Sequence, residues 1–209
     1  MSPIADLKGT YVLDPAHTQL GFVARHAMVT KVRGSFNEVT GTATIDGSNP
    51  AASTLNVSVD TASVDTRNEG RDGHLKSADF FDVENFPAIT FVGDGFEVEG
   101  ETVKVTGDLT IKGKTQAVTI PLDFQGQVTD PWGNDRIGFE GSVVVNRKDW
   151  DLTWNAALET GGVLVSDKVT LEDFAIEDTK GNAFKSNGAD DLIIRRVRTE
   201  WSGGPKETN

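Results

Sequence analysis

In a 209-residue chain without cysteine, acid–base or metal chemistry falls first to three histidines and the carboxylates beside them. His17 follows Asp14-Pro15-Ala16, and His26 closes the run TQLGFVARH. His74 lies in residues 67–86, RNEGRDGHLKSADFFDVENF, with Asp65, Arg67, Asp72, Asp79 and Asp82 around it. An Asp beside a His suits general acid–base catalysis or a metal site. The spacing supports neither, because HExxH and GxSxG are both absent. The plainer alternative is that Asp14 and His17 form a turn and the charges of 67–86 pair across loops. A second group, Asn146-Arg147-Lys148-Asp149-Trp150 followed by Leu152-Thr153-Trp154-Asn155, reads either as an aromatic gate or as a plug. In both readings Arg147 and Asp149 can pair with the Asp14–His17 turn. Phosphate-binding glycine motifs are missing, since Gly93-Asp94-Gly95 lacks the later glycine and the following helix.

The elements that must position these groups are strands. Leu20, Phe22 and Ala24 share one parity, as do Leu55, Val57 and Val59, and Ile89 and Phe91. Val103, Val105, Leu109 and Ile111 follow, then Val118, Ile120, Leu122 and Phe124, then Ile137, Phe139, Val143 and Val145, then Val163, Val165, Val169 and Leu171. Period two with one polar face marks half-solvated antiparallel strands. Asp46-Gly47-Ser48-Asn49-Pro50, Glu99-Gly100, Lys112-Gly113-Lys114 and Asp130-Pro131-Trp132-Gly133-Asn134 punctuate them as turns. The fold class is all-β, with about eight short strands between residues 10 and 172, enough to close a barrel. Residues 67–86 break the alternation; Asp72 or Asn68 can cap a short helix there, anchored by Phe80, Phe81 and Phe86. Gly34, Gly41, Gly107, Gly138 and Gly141 in or beside strand runs would allow sharp coiling and leave volume unfilled. Eleven phenylalanines fill space without a polar handle. An ordinary packed barrel uses the same residues, so composition alone leaves a hollow interior and a filled one both open.

Twenty basic against 32 acidic residues, net −12, argues against a nucleic-acid groove and disfavours docking on anionic lipid. No apolar run approaches a membrane span. MSPIADLKGTYVLD lacks the pattern of a signal peptide, so the expected location is cytoplasmic.

Five segments, in this order, resemble the YceI-like family of polyisoprenoid-binding proteins over about residues 9–172: YVLDPAHTQLGFVARHAMVTKVRGSF, VDTRNEGRDGHLKSADFFDVENFPAITF, VTGDLTIKGKTQAVTIPLDF, GFEGSVVVNRKDWDLTWN and GVLVSDKVTLE. The resemblance implies an eight-stranded, lipocalin-like antiparallel barrel whose long cavity holds an extended isoprenoid lipid of polyprenyl or quinone type. It implies a binding protein rather than an enzyme, with no cofactor or metal. It places His17, His26 and His74 in family motifs without making them catalytic. A homodimer is left open. Strand parity assigns the ligand-lining residues as Leu20, Phe22, Phe36, Val57, Val59, Phe91, Leu109, Ile111, Ile120, Leu122, Phe139 and Val143. One unrecognised bulge would flip a whole strand's set.

The last 37 residues depart from the family, whose members end soon after a strand of the form VTLEFDV. Here VTLE runs into Asp173, which breaks the alternation by one residue. At a shift of 23 residues Val169 meets Leu192, Leu171 meets Ile194 and Phe174 meets Val197. This repeat resembles coils of a right-handed parallel β-helix, and RRVRTEWSGGPKETN is similar to segments of bacterial β-helix proteins. Two coils fall short of the ~3 needed for a stable stack. The expected organisation is a lipid-binding barrel, 1–172, joined to a β-helix-like extension, 173–209, with protease sensitivity near 178–190. The alternative is a lineage-specific extension with its own docking surface.

Overall fold

The computed structural model describes residues 3–159, 161–172 and 178–180. The alternating runs become strands of a single antiparallel sheet, and one helix interrupts them. The strands are β1 (Lys8–Leu13), β2 (Leu20–His26), β3 (Thr30–Phe36), β4 (Val39–Asp46), β5 (Thr54–Asp60), β6 (Val64–Asp65), β7 (Ala88–Glu99), β8 (Thr102–Ile111), β9 (Lys114–Thr129), β10 (Asp135–Asn146), β11 (Val165–Glu172) and β12 (Asp178–Lys180). The helix, α1, is Glu69–Lys76. The sheet curls in the order β12-β1-β4-β5-β7-β8-β9-β10-β11-β2-β3-β6, and β12 pairs with β10 as well as β1. That extra pairing joins the two arms of the curled sheet.

Twelve strands appear among the described residues where eight were expected. The difference arises because long runs are broken. β10 pairs with β11 from Ser142↔Glu172 to Asn146↔Lys168 and with β12 from Asp135↔Lys180 to Ile137↔Asp178, in registers that differ by one residue. β1 and β2 together flank β12 and β11 in the same way, and β4 and β3 flank β1 and β2. Local chemistry explains the breaks. Pro15 has no N–H to donate to a ladder, and the Asp14 carboxylate takes the Ala16 N–H at 3.0 Å instead. At the end of β5, Asp60 accepts from the Ala62 N–H at 2.8 Å and starts a 3₁₀ turn over Thr61–Ser63. The sheet takes in Asp178–Lys180, so it extends beyond the expected boundary at residue 172. The β-helix expectation for the remaining tail lies outside the described residues.

The pairings place the β4–β5, β7–β8 and β9–β10 turns at one end, here the hairpin end. The β2–β3 and β8–β9 hairpins, the 61–87 excursion and the 147–164 segment lie at the other, the helical end. Inward parity builds the core: on β8, Val103, Val105, Leu109 and Ile111 are buried while Thr106 and Asp108 face out. Tyr11, Ile120, Leu122 and Ile137 join them. Asn68, rather than Asp72, caps α1, accepting from the Arg71 N–H at 2.9 Å. Asp72 instead reaches the buried Thr66, whose N–H it accepts at 2.9 Å.

The strand glycines serve close approach instead of leaving volume empty. A Cβ on Gly34 would stand 2.4 Å from the Phe22 ring, which lies over the bare backbone of the neighbouring strand. A Cβ on Gly107 would meet the Val92 carbonyl at 2.3 Å, beside the register shift between Gly93 and Gly95. No helix among the described residues is long and apolar enough to cross a membrane.

Candidate functional site: two apolar chambers in a curled sheet

Two chambers lie inside the sheet. The larger holds about 750 Å³ of empty space, its open part included, and only apolar side chains and Gly21 line it. Nine of the residues assigned by parity are on its wall: Leu20, Phe36, Val57, Val59, Phe91, Leu109, Ile111, Ile120 and Leu122. Leu55, Ile89, Val105 and Leu171 complete it. The smaller chamber, about 580 Å³ with its open part included, lies towards the hairpin end between Ile4, Ala43, Ile45, Phe96, Val98, Val103, Ile137 and Phe139. Asp46, Gly47, Pro50 and Ser53 of the β4–β5 connection form part of its wall. Leu55, Val105 and Leu122 line both chambers and so form the partition between them.

Phe139 therefore belongs to the smaller chamber, and Phe22 and Val143 line neither. Phe22 is held against Phe36 with ring centroids 5.6 Å apart, and Phe36 meets Phe81 of the excursion at the same separation. Val143 is half-buried and pairs with Leu171, which does reach the larger chamber.

The histidines do not converge on either chamber. His17 Nδ1 lies 2.8 Å from Asp14 Oδ2 within the turn between β1 and β2. His74 Nε2 lies 3.0 Å from Asp79 Oδ2 on the excursion, and its ring stands edge-on to Trp154 at 4.4 Å and Phe80 at 5.1 Å. His26 is exposed at the end of β2. No group of three or more His, Asp or Glu side chains among the described residues is arranged to hold a metal ion.

A family model described as the YceI-like domain matches residues 11–176. The chain belongs to the YceI-like family. "Protein YceI" of Salmonella newport is 39% identical over 137 residues, 66% of this chain and 72% of that protein. The crystal structure of a Campylobacter jejuni YceI protein superimposes with a TM-score of 0.64 at 29% identity, covering 81% of this chain and 97% of that one. A domain from Saccharophagus degradans described as polyisoprenoid-binding shares the fold, with a TM-score of 0.62 at 17% identity over 84% of this chain and all of that one (100%).

In this YceI-like barrel the 147–155 cluster packs at the helical end. Arg147 is 4% exposed and is held by backbone carbonyls: Nε donates to Ser166 at 3.0 Å, and Nη1 donates to Trp154 at 2.9 Å and to Leu152. Burial lowers its pKa from the usual guanidinium value, opposed by Asp167 nearby. Trp150 Nε1 donates to the Leu109 carbonyl at 2.9 Å. Asp149 offers its carbonyl to Gln116 Nε2 at 2.9 Å. Arg147 and Asp149 thus serve this end and not the Asp14–His17 turn. The cation at that turn is Arg136, which sequence reasoning missed: Nη1 donates to Asp14 Oδ2 at 2.9 Å and Nε donates to Asp130 Oδ2 at 3.1 Å. A lone Arg at a strand start carries no spacing signal that names its partners. Phe96 and Val98 were missed for a clearer reason, since the shift at Gly93/Gly95 moves even-numbered positions of β7 to the inside.

Proposed function

We propose that this YceI-like protein binds and carries a long-chain isoprenoid lipid, of polyprenyl or quinone type, in the chambers of its barrel and without catalysing a reaction. The observation that carries the reading is the pair of neighbouring chambers that share three aliphatic wall residues, the larger walled by apolar residues alone. The larger chamber offers a greasy chain burial and offers a headgroup no polar partner. Twenty buried prenyl carbons at ~0.8 kcal/mol each are nominally worth about 16 kcal/mol. Ordering a flexible chain takes back much of that sum. Tight binding therefore needs no polar contact inside, and selection falls to chamber length and width. The polyisoprenoid-binding description of the Saccharophagus domain points the same way. The separate Asp–His pairs give a hydrolytic reading no shared site.

The test is extraction of natively purified protein into organic solvent, followed by mass spectrometry. A prenyl lipid at up to one per chain is expected. A barrel that emerges empty and takes up no added polyprenol or prenylquinone from detergent micelles would sink the proposal.

A further inference from the structure

The β2–β3 hairpin departs from the rest of this acidic protein. Residues 15–37 contain no Asp or Glu, in a chain with 32 acidic residues. Arg25 and Lys31 are register partners and Arg33 pairs with Val23, so all three cations share the outer face of the hairpin. All three are exposed, and Lys31 has no ion-pair partner among the described residues. Arg33 has Glu172 at 3.7 Å but remains 62% exposed. At the tip, Met28 is 56% exposed and Val29 is 79% exposed. Val163, 37% exposed, stands on the neighbouring loop, which the tip joins through the Ala27 N–H to Leu164 carbonyl bond of 2.7 Å.

The tip backbone adds an independent observation. Ala27 and Met28 both have positive φ, 49° and 63°. Glycine takes that conformation freely, and a side chain there costs stability. The turn is nevertheless built with Met28 at the strained position and its apolar side chain held out to water. Met28 lies beside Gly162 of the neighbouring loop and leaves more than half its surface free for a partner outside the barrel.

We infer that the β2–β3 hairpin docks the barrel on an anionic lipid bilayer, with Met28 and Val29 entering the acyl boundary and Arg25, Lys31 and Arg33 lying among the headgroups. An apolar tip with three cations along one face of its hairpin is the chemistry of an interfacial anchor, and Glu159 is an exposed acid on the neighbouring loop. The net charge of −12 opposes approach, with Glu172 and Glu159 among the acids near the hairpin, and ~0.1 M salt screens acids more than about 10 Å from the bilayer. The hairpin projects from the helical end, the end towards which the larger chamber lies. The inference deepens the carrier reading and rests on it, by naming the surface from which lipid is collected.

Flotation of the full chain with vesicles tests this. Binding is expected to vesicles of equal parts phosphatidylglycerol and phosphatidylcholine, to weaken with salt, and to be absent for phosphatidylcholine alone. Lys31→Gln should weaken it about fivefold, one cation's share. Met28→Gly should weaken it too while leaving the thermal midpoint unchanged or higher, because glycine relieves the turn. That split separates lost docking from lost folding. Arg195, Arg196 and Arg198 form another cationic cluster in the sequence. Their triple Gln variant should float like the parent, and loss of binding there would move the site away from the hairpin and overturn the inference. Equal flotation with uncharged vesicles, or unchanged flotation of both hairpin variants, would also overturn it. So would a dimer in sedimentation velocity that Met28→Gly dissolves, since the tip's occupant would then be a second copy. Uptake of polyprenol from micelles is read in parallel. Uptake without flotation sinks docking alone, and flotation without uptake sinks the carrier reading.

Discussion

At the helical end of the barrel the anchoring group is a buried cation. At the hairpin-end side it is a cation between two carboxylates, partly open to water. Arg147 has 4% of its surface exposed and is satisfied mainly by main-chain carbonyls of Leu152, Trp154 and Ser166. Arg136 has 22% of its side chain exposed and bridges Asp14 and Asp130. The first arrangement fixes the path of a loop that has little regular structure of its own, so its removal orphans several buried acceptors at once. The second links two turns that already satisfy many of their own backbone groups. The comparison predicts unequal sensitivity. Arg147→Met should cost about 3 kcal/mol or more, as breaking a buried charged network does. Arg136→Met should cost clearly less, its pairs being partly solvated. Urea unfolding of both variants checks this, and equal losses would mean that burial is not what separates the two ends.

The partition offers the next effect in size. Leu122→Ala should cost ~2–4 kcal/mol through lost transfer energy and the cavity left behind. It should also merge the chambers, so that the bound-lipid profile shifts to longer chains. Ile111→Ala lies in the larger chamber only and should cost a similar amount without that shift. A profile that moves equally in both would show that the partition sets nothing. Smaller still is Trp150→Phe, which keeps the ring and leaves the Leu109 carbonyl without its donor, at ~1–3 kcal/mol by denaturant midpoint.

What the sequence makes legible follows from this contrast between regions. Period-two alternation exposes one face of a strand to the reader, and β5, β8 and β9 obey it without interruption over Leu55–Val59, Val103–Ile111 and Val118–Leu122. Larger-chamber residues were therefore readable from parity. Leu55 and Val105 share the parity of assigned neighbours; their special place is a matter of depth along the barrel, which alternation does not encode. Phe96 and Val98 vanished from view because the shift at Gly93/Gly95 inverts the faces of β7. The strand count failed at places where a side chain replaces the ladder, as Asp14 does beside Pro15. Arg147 reads as a partner for the Asp14–His17 turn; apart from Asp167 at 3.7 Å its partners are carbonyls, which every residue carries and no motif reveals. Asn68 and the helix it caps were visible because capping joins a residue type to a fixed position.

The smallest effect tests the Asp14–Arg136–Asp130 bridge through pH. Burial acts to raise the Asp130 carboxyl, but hydrogen bonds from Asn134, from Arg136 and from the Trp132 N–H outweigh it and hold its pKa at about 2. Asp14 is lowered as well: burial raises it, while His17, the Ala16 N–H and Arg136 pull it down further. In the unfolded chain both carboxyls titrate near their ordinary value, about 3.9. The folded state therefore holds its carboxylates charged where the unfolded state is taking up protons. The bridge contributes its full stability above about pH 4, and that contribution is lost as pH falls through about 2. Because many other carboxylates titrate in the same window, the quantity to measure is the difference in urea midpoint between the parent and Asp130→Asn. That difference should be constant from neutral pH to about 4 and shrink towards zero as pH approaches 2. Arg147→Met loses mainly carbonyl partners, with one carboxylate, Asp167, at 3.7 Å, so its difference from the parent should shrink far less over the same range. If the two differences fall in parallel, both ends are held by titrating groups and the contrast between them is wrong.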